Sequence, residues 1–427
     1  MLEWLLISQH NDPIRELYLF QVKKRLKLNE SLAADQLPIQ QSIGGEMMVE
    51  KLFYSQGKPI KKLGFGFMRL PTLADGSIDM RQVQEMVDLY LSRGFCYFDT
   101  AFGYHKQKSE AALRDALVRR YPRQNYLLAT KLPAWKHTVR SADDAKAMFY
   151  TQMERLQSEW IDYYLFQNMG ENRTAAFDQF HLWDFIADLK RQGLIHHFGV
   201  SVHDKADHVD FLLQEHPEIE FVQLQINFAD WEDPAVQSRK CYEVAQTHGK
   251  PIVIMEPVKG GVLATLPPQA QAVFDQASIT QSNAAWALRF AASLEQARVV
   301  LSGMSNIQQM KENLDLFDSM TAISEEEYTL LNRVQTVLSQ IRYVSCTGCR
   351  YCCEDCPGKV KIPKIMTALN FQNVYNNRHM AEHYYFSNVF LEGNAGKCLE
   401  CGQCESVCPQ HLPIRKLLKE AVELFGE

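Results

Sequence analysis

A cysteine pattern that occurs twice near the end of the chain constrains its fold more than any other feature. The first copy is Cys346, Cys349, Cys352 and Cys356, and the second copy is Cys398, Cys401, Cys404 and Cys408. Each copy has the spacing C-x2-C-x2-C-x3-C and is followed directly by proline. This spacing is typical of the ligands of two [4Fe-4S] clusters, in which each copy gives three thiolates to one cluster and its fourth to the other.

This crossed arrangement predicts the ligands of each cluster. One cluster would be held by Cys346, Cys349, Cys352 and Cys408, and the other by Cys398, Cys401, Cys404 and Cys356. Cys353 adjoins a ligand but breaks the spacing, so we predict that it is not a ligand. Zinc or disulfides are the alternative. A zinc site needs only paired C-x2-C motifs, which leaves the later cysteines and the proline of both copies unexplained.

Length and charge narrow the class of protein. At 427 residues the chain exceeds one ordinary domain and allows a barrel of about 250 residues with an appended domain. The net charge of −6 favours neither nucleic acid nor an anionic membrane as a partner. No run of about 18 apolar residues predicts a membrane span. Because cluster thiolates need a reducing compartment, we expect a cytoplasmic protein.

From residue 49 the sequence alternates between short β-type runs and amphipathic helical stretches. A hairpin is predicted around Gln56-Gly57. Buried strands are then predicted at 63–68, 96–99, 126–131, 162–167, 196–201, 221–227, 251–256 and 299–302. Helices follow each strand, one of them with Asp204 as its expected N-cap. Eight such units fit a closed (β/α)8 barrel of the TIM type better than an open doubly wound sheet.

The predicted domain organisation has four parts. Residues 1–46 form an extension without a motif, and the Gly-Gly-Glu before Met47 suggests that translation starts at Met47 or Met48. The barrel covers 47–320, and a helical connector covers 321–345 and opens on a Ser324–Glu327 capping box. Residues 346–427 form a small, mostly helical two-cluster domain. The insertion at 259–281 is interpreted as a lid or partner surface, or as a plain surface loop.

The strand ends of this barrel carry motifs that resemble those of a known family. Asp99-Thr-Ala-x-x-Tyr104 after the second strand and Lys131 at the end of the third are similar to the catalytic motifs of the aldo/keto reductases. The order of the later motifs agrees: Gly199-Val-Ser201, Gln223-x-x-x-Asn227, Ser302-Gly303 and Glu312-Asn313. With the cysteine pattern included, the whole chain resembles the aldo/keto reductase subgroup that has a C-terminal ferredoxin-type domain with two [4Fe-4S] clusters.

The resemblance implies a catalytic set whose chemistry can be stated. Reduction of a ketone needs a hydride on carbon and a proton on oxygen, so Tyr104 is expected to be the acid. A neighbouring Lys131 cation is expected to lower the pKa of Tyr104, and Asp99 would keep that lysine charged and aimed. The alternative is that Asp99 and Lys131 form a structural ion pair and Tyr104 is an aromatic residue at the barrel rim.

Gln167 departs from the family pattern. The aldo/keto reductases usually have a histidine at the end of strand four, where this chain has Gln167. A glutamine can donate a neutral hydrogen bond to a carbonyl oxygen but cannot titrate. Gln167 is therefore a candidate catalytic residue whose chemistry differs from that of the usual histidine.

The resemblance also implies a nicotinamide site. Ser201 and Gln223 would hold the carboxamide, and the adenine end would be lined by Ser302, Gly303, Met304, Glu312 and Asn313. The usual basic position for a 2′-phosphate falls near Gln309, which leaves Lys311 as the nearby cation. Either NADH or NADPH is therefore compatible with the sequence.

These features together predict an iron–sulfur oxidoreductase that reduces a small carbonyl or related substrate, with electrons passing through two [4Fe-4S] clusters. One alternative is a reductase that uses no nicotinamide and is fed by a flavin or by a ferredoxin partner. An alternative of another class is a nucleotide-binding redox sensor or regulatory subunit. Retention of Asp99, Tyr104 and Lys131 favours an enzyme, whereas Gln167 favours the sensor.

Overall fold

The structure, a computed structural model, describes residues 52–135, 139–171, 173–277 and 281–426. The expectations for residues 1–46 lie outside the described residues. The first described element is a short antiparallel hairpin of β1 (Tyr54–Ser55) and β2 (Lys58–Pro59). Its two turn residues, Gln56 and Gly57, have φ values of 51° and 74°, as a tight hairpin turn requires. The predicted hairpin is confirmed, although its strands are shorter than expected.

Eight parallel strands close into a barrel in the order β10-β3-β4-β5-β6-β7-β8-β9, as predicted. The strands are β3 (Leu63–Gly66), β4 (Tyr97–Asp99), β5 (Leu127–Leu132), β6 (Ile161–Met169), β7 (Ile195–Val202), β8 (Phe221–Gln225), β9 (Ile252–Met255) and β10 (Ala297–Ser302). Most of their residues are buried, because one face packs inside the barrel and the other faces helices. The predicted strands all occur, and their ends shift by at most two residues.

Helices surround the barrel and form most of the C-terminal domain. Those up to residue 340 are α1 (Met80–Ser92), α2 (Tyr104–Gln107), α3 (Ser109–Leu113), α4 (Ala142–Leu156), α5 (Ala175–Gln179), α6 (Leu182–Arg191), α7 (Ala206–Glu215), α8 (Ser238–Thr247), α9 (Pro268–Phe274), α10 (Asn283–Ser293), α11 (Ile307–Ser319) and α12 (Glu325–Gln340). The C-terminal ones are α13 (Tyr351–Glu354), α14 (Ile362–Tyr375), α15 (Arg378–Asn388), α16 (Phe390–Gly393), α17 (Gln403–Ser406) and α18 (Ile414–Phe425). Within the described ranges, no helix is long and apolar enough to cross a membrane.

Side-chain caps explain where several of these helices begin. The predicted capping box at α12 is confirmed: the Ser324 hydroxyl accepts from the Glu327 backbone N–H, and the Glu327 carboxylate accepts from the Ser324 N–H. The prediction that Asp204 caps α7 is wrong, because the N-cap is Lys205. The Asp204 carboxylate instead accepts from the Glu171 N–H at 2.7 Å and so ties two barrel loops together.

The N-terminal end of the barrel is filled by aromatic side chains. The Phe53 ring stacks on Tyr163 with centroids 5.0 Å apart, and the Phe53 N–H donates to the Tyr163 hydroxyl at 2.8 Å. Tyr97, Phe221 and Val253 belong to the same buried cluster. This end is therefore packed core, which leaves the C-terminal strand ends for a binding site.

The C-terminal domain has a small core of its own. Tyr385 of α15 stacks on Phe425 of α18 with centroids 4.1 Å apart, and Ile365 of α14 and Leu418 of α18 are buried beside them. Several cysteines pack against this core, and Cys408 is part of it. The domain is therefore mostly helical, as predicted, and its apolar core is continuous with its thiol groups.

Candidate functional site: a barrel cavity that meets two thiol-lined cavities

A cavity opens at the C-terminal ends of the barrel strands. Its walls come from the ends of β3, β4, β9 and β10, from the loops after β7 and β9, and from the start of α11. Gly260 and Gly261 of the predicted insertion form part of one wall. Cys349 and Tyr351 of the C-terminal domain form another part. The cavity is thus built jointly by the barrel and the cysteine-rich domain.

Asp99 and Lys131 form a buried ion pair on one side of this cavity. The lysine Nζ lies 2.6 Å from each carboxylate oxygen of Asp99 and donates to the Thr100 carbonyl oxygen at 2.8 Å. Burial raises the pKa of Asp99 and lowers the pKa of Lys131, while their mutual attraction opposes both shifts. The pair is held in one geometry, because the acceptors of the lysine ammonium group belong to two consecutive residues, Asp99 and Thr100.

Tyr104 lines the cavity beside this ion pair. The Lys131 Nζ lies 5.6 Å from the centre of the Tyr104 ring. The prediction that the pKa of Tyr104 is lowered is wrong, because burial outweighs the effect of nearby cations. Burial raises the pKa of Tyr104 well above its usual value, and the neighbouring Tyr351 and Asp99 raise it further. Tyr104 is therefore a protonated phenol at neutral pH, in the form that a proton donor needs.

The chain just after Tyr104 is held in an unusual backbone conformation. His105 and Lys106 have φ values of 50° and 54°, in the left-handed region. The His105 Nε2 accepts from the Leu70 N–H at 3.1 Å, which ties this turn to the loop after β3. Strain of this kind persists only where surrounding contacts hold it, and it concentrates at functional sites.

Gln167 does not face the cavity directly. Its Nε2 donates to the Tyr351 hydroxyl at 3.2 Å, and its backbone oxygen accepts from the Trp135 Nε1 at 2.8 Å. Its Oε1 is buried and has no hydrogen-bond partner among the described residues. Gln167 therefore reaches the cavity through the tyrosine from the other domain.

Ser201 and Gln223 are paired on the neighbouring strands β7 and β8, and Gln223 lines the cavity. Both donate weakly to the sulfur of Met255, from the Ser201 Oγ at 3.8 Å and from the Gln223 Nε2 at 3.5 Å. The Gln223 Oε1 is buried and has no hydrogen-bond partner among the described residues. Thioether sulfur is a weak acceptor, so this pair retains hydrogen-bonding capacity for a ligand.

The residues predicted to bind the adenine end lie along the outer part of the cavity. Its lining includes Ser302, Gly303, Met304, Glu312 and Asn313. The Asn313 Nδ2 donates to the Ser302 Oγ at 3.0 Å. Gln309 is occupied as an acceptor from the Ser305 N–H at 2.7 Å. Arg69 also lines the cavity and is a cation that the sequence analysis did not identify.

His203 and Glu256 were also missed by the sequence analysis. Both line the cavity. Burial lowers the pKa of His203 to about 3, so its ring is neutral at physiological pH. Burial raises the pKa of Glu256, whose carboxylate accepts from the Gln410 Nε2 of the other domain at 3.1 Å. All these residues directly follow strands, so a survey of every strand end would have found them.

The eight cysteines of the repeated pattern surround two further cavities. One is lined by Cys346, Cys349, Cys352 and Cys408, and the other by Cys356, Cys398, Cys401 and Cys404. These are the two sets of four expected from the crossed rule, and four thiols around a common space fit a cubane cluster. Burial raises the pKa of the Cys346 thiol to about 11. Bound iron would stabilise the thiolate form that burial disfavours.

The two thiol-lined cavities differ in their surroundings. Cys349 lines the first of them and also the barrel cavity. The second is lined only by residues of the C-terminal domain, and its Cys401 is exposed. Cys353 lines neither, and its sulfur lies 3.9 Å from that of Cys352. The first cavity therefore adjoins the barrel site, and the second is closer to solvent.

Comparisons with known proteins agree with this architecture. The profile of the aldo/keto reductase family matches residues 62–336, and that of the 4Fe-4S dicluster domain matches residues 345–412. An aldo-keto reductase of Mycolicibacterium vanbaalenii is 26% identical over 247 residues, which cover 58% of this chain and 81% of that protein.

Solved structures resemble the barrel. An aldo-keto reductase of Bacillus halodurans in its holo form has a TM-score of 0.52 and 22% identity, covering 64% of this chain and 91% of that one. A Klebsiella pneumoniae aldo/keto reductase in complex with NADP and acetate has a TM-score of 0.51 and 18% identity, covering 66% of this chain and 94% of that one. At these identities the similarity supports the fold alone.

Proposed function

The chain belongs to the aldo/keto reductase family and carries a 4Fe-4S dicluster domain, and we propose that this iron–sulfur oxidoreductase reduces a small carbonyl substrate in the barrel cavity. We further propose that its two [4Fe-4S] clusters connect that cavity electrically with the protein surface. The main observation in support of this proposal is that Cys349 lines both the barrel cavity and the first thiol-lined cavity.

Tyr104 is the proposed proton donor. It lines the cavity as a buried phenol whose raised pKa keeps it protonated. As the carbonyl carbon is reduced, the oxygen gains negative charge and takes the hydroxyl proton of Tyr104. Asp99 holds Lys131 beside the tyrosine ring, so the lysine cation faces the phenolate that forms. Product release then lets solvent return a proton to Tyr104.

A nicotinamide is the proposed hydride source, and when bound it would supply two electrons and a hydrogen to the carbonyl carbon. The Gln223 Oε1, buried without a partner in the described structure, can accept from the carboxamide, and Ser201 can donate to it. Ser302, Gly303, Met304, Glu312 and Asn313 would line the adenine end. The Klebsiella pneumoniae relative with bound NADP supports NADPH as the first cofactor to test.

A second candidate function is favoured by the same position of Cys349. Clusters pass single electrons, whereas a nicotinamide delivers a hydride, so a direct exchange between them needs a group that can do both. A flavin in this chain or in a partner would serve. In the second candidate, the substrate or a flavin takes electrons from the clusters without nicotinamide. The exposed Cys401 side of the domain is then the proposed docking side for a ferredoxin or flavoprotein partner.

The test compares the two electron sources in one anaerobic preparation with about eight irons per chain. In the first arm, oxidised protein receives NADPH and a small aldehyde or quinone, and NADPH consumption is followed. In the second arm, protein reduced with dithionite and freed of excess reagent receives the same substrates, and the visible cluster absorbance is followed. Turnover in the first arm supports the nicotinamide reductase, and drainage of the clusters at a matching rate supports the second candidate.

The arms also separate the remaining interpretations. Rapid reduction of the clusters by NADPH in flavin-free protein would contradict the electron-counting argument. Clusters that no substrate or partner drains at a rate matching turnover would be structural. If the protein shows no turnover and no cluster oxidation with any carbonyl, the redox-sensor interpretation is favoured over an enzyme.

A further inference from the structure

Tyr351 is an unusual member of the barrel cavity, because it comes from the other domain. It stands between Cys349 and Cys352, two thiols of the first predicted cluster. Its side chain nevertheless lines the barrel cavity together with Asp99 and Tyr104. The position was invisible in the sequence, since no pattern says how the cysteine-rich domain sits on the barrel.

Three barrel residues hold this tyrosine in place. The Gln167 Nε2 donates to its oxygen at 3.2 Å, and the Trp135 ring packs on it edge-on with centroids 6.1 Å apart. Tyr104 lines the same cavity beside it, and the proximity of Tyr351 contributes to the raised pKa of Tyr104. These three residues lie at or after the ends of three successive strands, β4, β5 and β6, so the tyrosine is held against the strand-end rim.

The direction of the hydrogen bond from Gln167 leaves the hydroxyl proton of Tyr351 available. A phenol oxygen can accept two hydrogen bonds and donate one. The Tyr351 oxygen accepts from Gln167, which donates through an amide that cannot titrate. Because Tyr351 and Tyr104 are neighbours in the lining of the same cavity, a ligand oxygen bonded to one hydroxyl lies within reach of the other.

We propose that Tyr351 is a second catalytic hydroxyl of the carbonyl site, positioned by Gln167. It donates a hydrogen bond to the substrate oxygen as negative charge develops there, while Tyr104 transfers its proton to that oxygen. Tyr351 keeps its own proton throughout, and it can donate to the Tyr104 phenolate afterwards. The inference rests on the proposed carbonyl reduction, and it gives Gln167 a role without direct substrate contact.

A consequence concerns the clusters. Since Tyr351 lies between Cys349 and Cys352, iron bound by these thiols would also fix the backbone that presents the hydroxyl. The barrel site is then complete only when the first cluster is in place. Hydride transfer within the barrel would depend on that cluster even if the cluster passes no electron to the substrate.

The test is Tyr351→Phe in the full-length protein, with Tyr343→Phe as the matched control. Tyr343 is a half-buried tyrosine close to Cys346 but does not line the barrel cavity. Loss of one donor to a developing oxyanion costs roughly 10²-fold in kcat. We expect that loss for Tyr351→Phe, with iron content, cluster absorbance and KM unchanged, and no loss for Tyr343→Phe. Equal turnover of the two variants would overturn the proposal.

A double-mutant cycle tests the role of Gln167. Gln167→Leu removes the bond to Tyr351, so we expect kcat to fall by about tenfold in the otherwise wild-type protein. In a Tyr351→Phe background the same change should have little further effect, because the hydroxyl that Gln167 positions is already gone. Fully multiplied losses would show that Gln167 acts independently of Tyr351 and would overturn that part of the proposal.

A binding measurement separates this inference from the proposed function. Benzoate presents a carboxylate that can accept from both hydroxyls, and its binding by calorimetry requires no turnover. We expect about tenfold weaker binding for Tyr351→Phe and wild-type binding for Tyr343→Phe. If the wild-type protein reduces no carbonyl, the proposed function fails while this result still decides on Tyr351. Equal benzoate affinity in the two variants would overturn the proposal that Tyr351 supplies a second hydroxyl.

Discussion

The barrel and the cysteine-rich domain are stabilised in different ways. In the barrel, eight strands and their helices share a large apolar core, and the far end is filled by Phe53 and Tyr163. The C-terminal domain has a much smaller core, and its cysteines pack directly against it. Small domains of this kind commonly need metal or disulfides for stability. The comparison indicates that the barrel folds by burial and that the C-terminal domain depends on its clusters.

The two regions nevertheless share one site. Cys349 and Tyr351 line the barrel cavity, and Arg69 of the barrel donates to the Thr347 carbonyl oxygen of the other domain at 2.9 Å. Arg173 of the barrel donates to the Ser406 carbonyl oxygen of the C-terminal domain. Mutations in the barrel and mutations in the C-terminal domain should therefore affect the same reaction in different ways.

The largest expected effect belongs to the barrel. Tyr104→Phe removes the proposed acid and leaves the ring in place, so kcat for a reducible aldehyde should fall by roughly 10²–10⁴-fold. Cluster absorbance, iron content and nicotinamide affinity should be unchanged, because only a hydroxyl is lost. Stopped-flow and steady-state kinetics on the anaerobic protein measure this. Undiminished nicotinamide-dependent turnover would show that Tyr104 is not the acid.

The next effect distinguishes the two clusters. Cys349→Ala and Cys401→Ala should each lower the iron content from about eight to about four per chain. Only Cys349→Ala should also lower nicotinamide-dependent turnover, by roughly 10²-fold, since only that thiol lies beside Tyr351 and the barrel cavity. Iron analysis and kinetics on the same samples provide the measurement. Equal kinetic losses in the two variants would mean that the clusters do not differ in their relation to the barrel.

The fold and the site were predictable to different degrees. Strand order and the capping box at Ser324 followed from apolar periodicity and local hydrogen-bonding rules, which act over a few residues. Asp99, Tyr104 and Lys131 were identified because they lie at or just after strand ends in a recognisable order. Tyr351 was not found, because its role depends on how two domains dock, which no local pattern encodes. The Asp204 cap failed for a related reason: a loop 33 residues away in sequence uses the same carboxylate.

A stability prediction concerns α12, which leads from the barrel to the C-terminal domain. Arg289 donates from Nη1 and Nη2 to the two carboxylate oxygens of Glu327 at 2.7 and 2.9 Å, with both side chains buried. Glu327→Gln leaves the Arg289 cation without its carboxylate partner and should lower the free energy of unfolding by about 3 kcal/mol in urea titrations. Glu243→Gln, in the exposed Arg239–Glu243 pair, is the control and should cost no more than about 0.5 kcal/mol.

The stability difference between wild type and Glu327→Gln should also depend on pH in a definite direction. The hydrogen bonds from Arg289 hold the pKa of Glu327 below its usual value. A depressed pKa contributes stability above the unfolded-state value of about 4.3, and that contribution is lost as pH falls through the folded-state pKa. The difference between wild type and Glu327→Gln should therefore be full at neutral pH and shrink below about pH 4. A difference that grows on acidification would contradict the assignment.

The smallest expected effect is at Gln167, where a gain is predicted rather than a loss. Gln167→His places an imidazole where the amide now donates to Tyr351. The buried His203 on the same rim has its pKa lowered to about 3, so a new imidazole there should also be neutral at pH 7. It would then offer its one N–H donor to the substrate oxygen itself, and no positive charge. The expected rise in kcat is about two- to tenfold, equivalent to a net hydrogen bond of about 0.5–1.5 kcal/mol.

The same substitution bears on the comparison between the regions, because an imidazole can polarise the substrate from the barrel alone. In the Tyr351→Phe background, Gln167→His should recover part of the lost turnover, whereas Gln167→Leu should recover none. Steady-state kinetics with several aldehydes and quinones measure this. Recovery would show that a barrel residue can replace the hydroxyl that the other domain supplies. If Gln167→His raises turnover with none of the tested carbonyls in either background, Gln167 serves a different class of substrate, for which the tyrosine is needed.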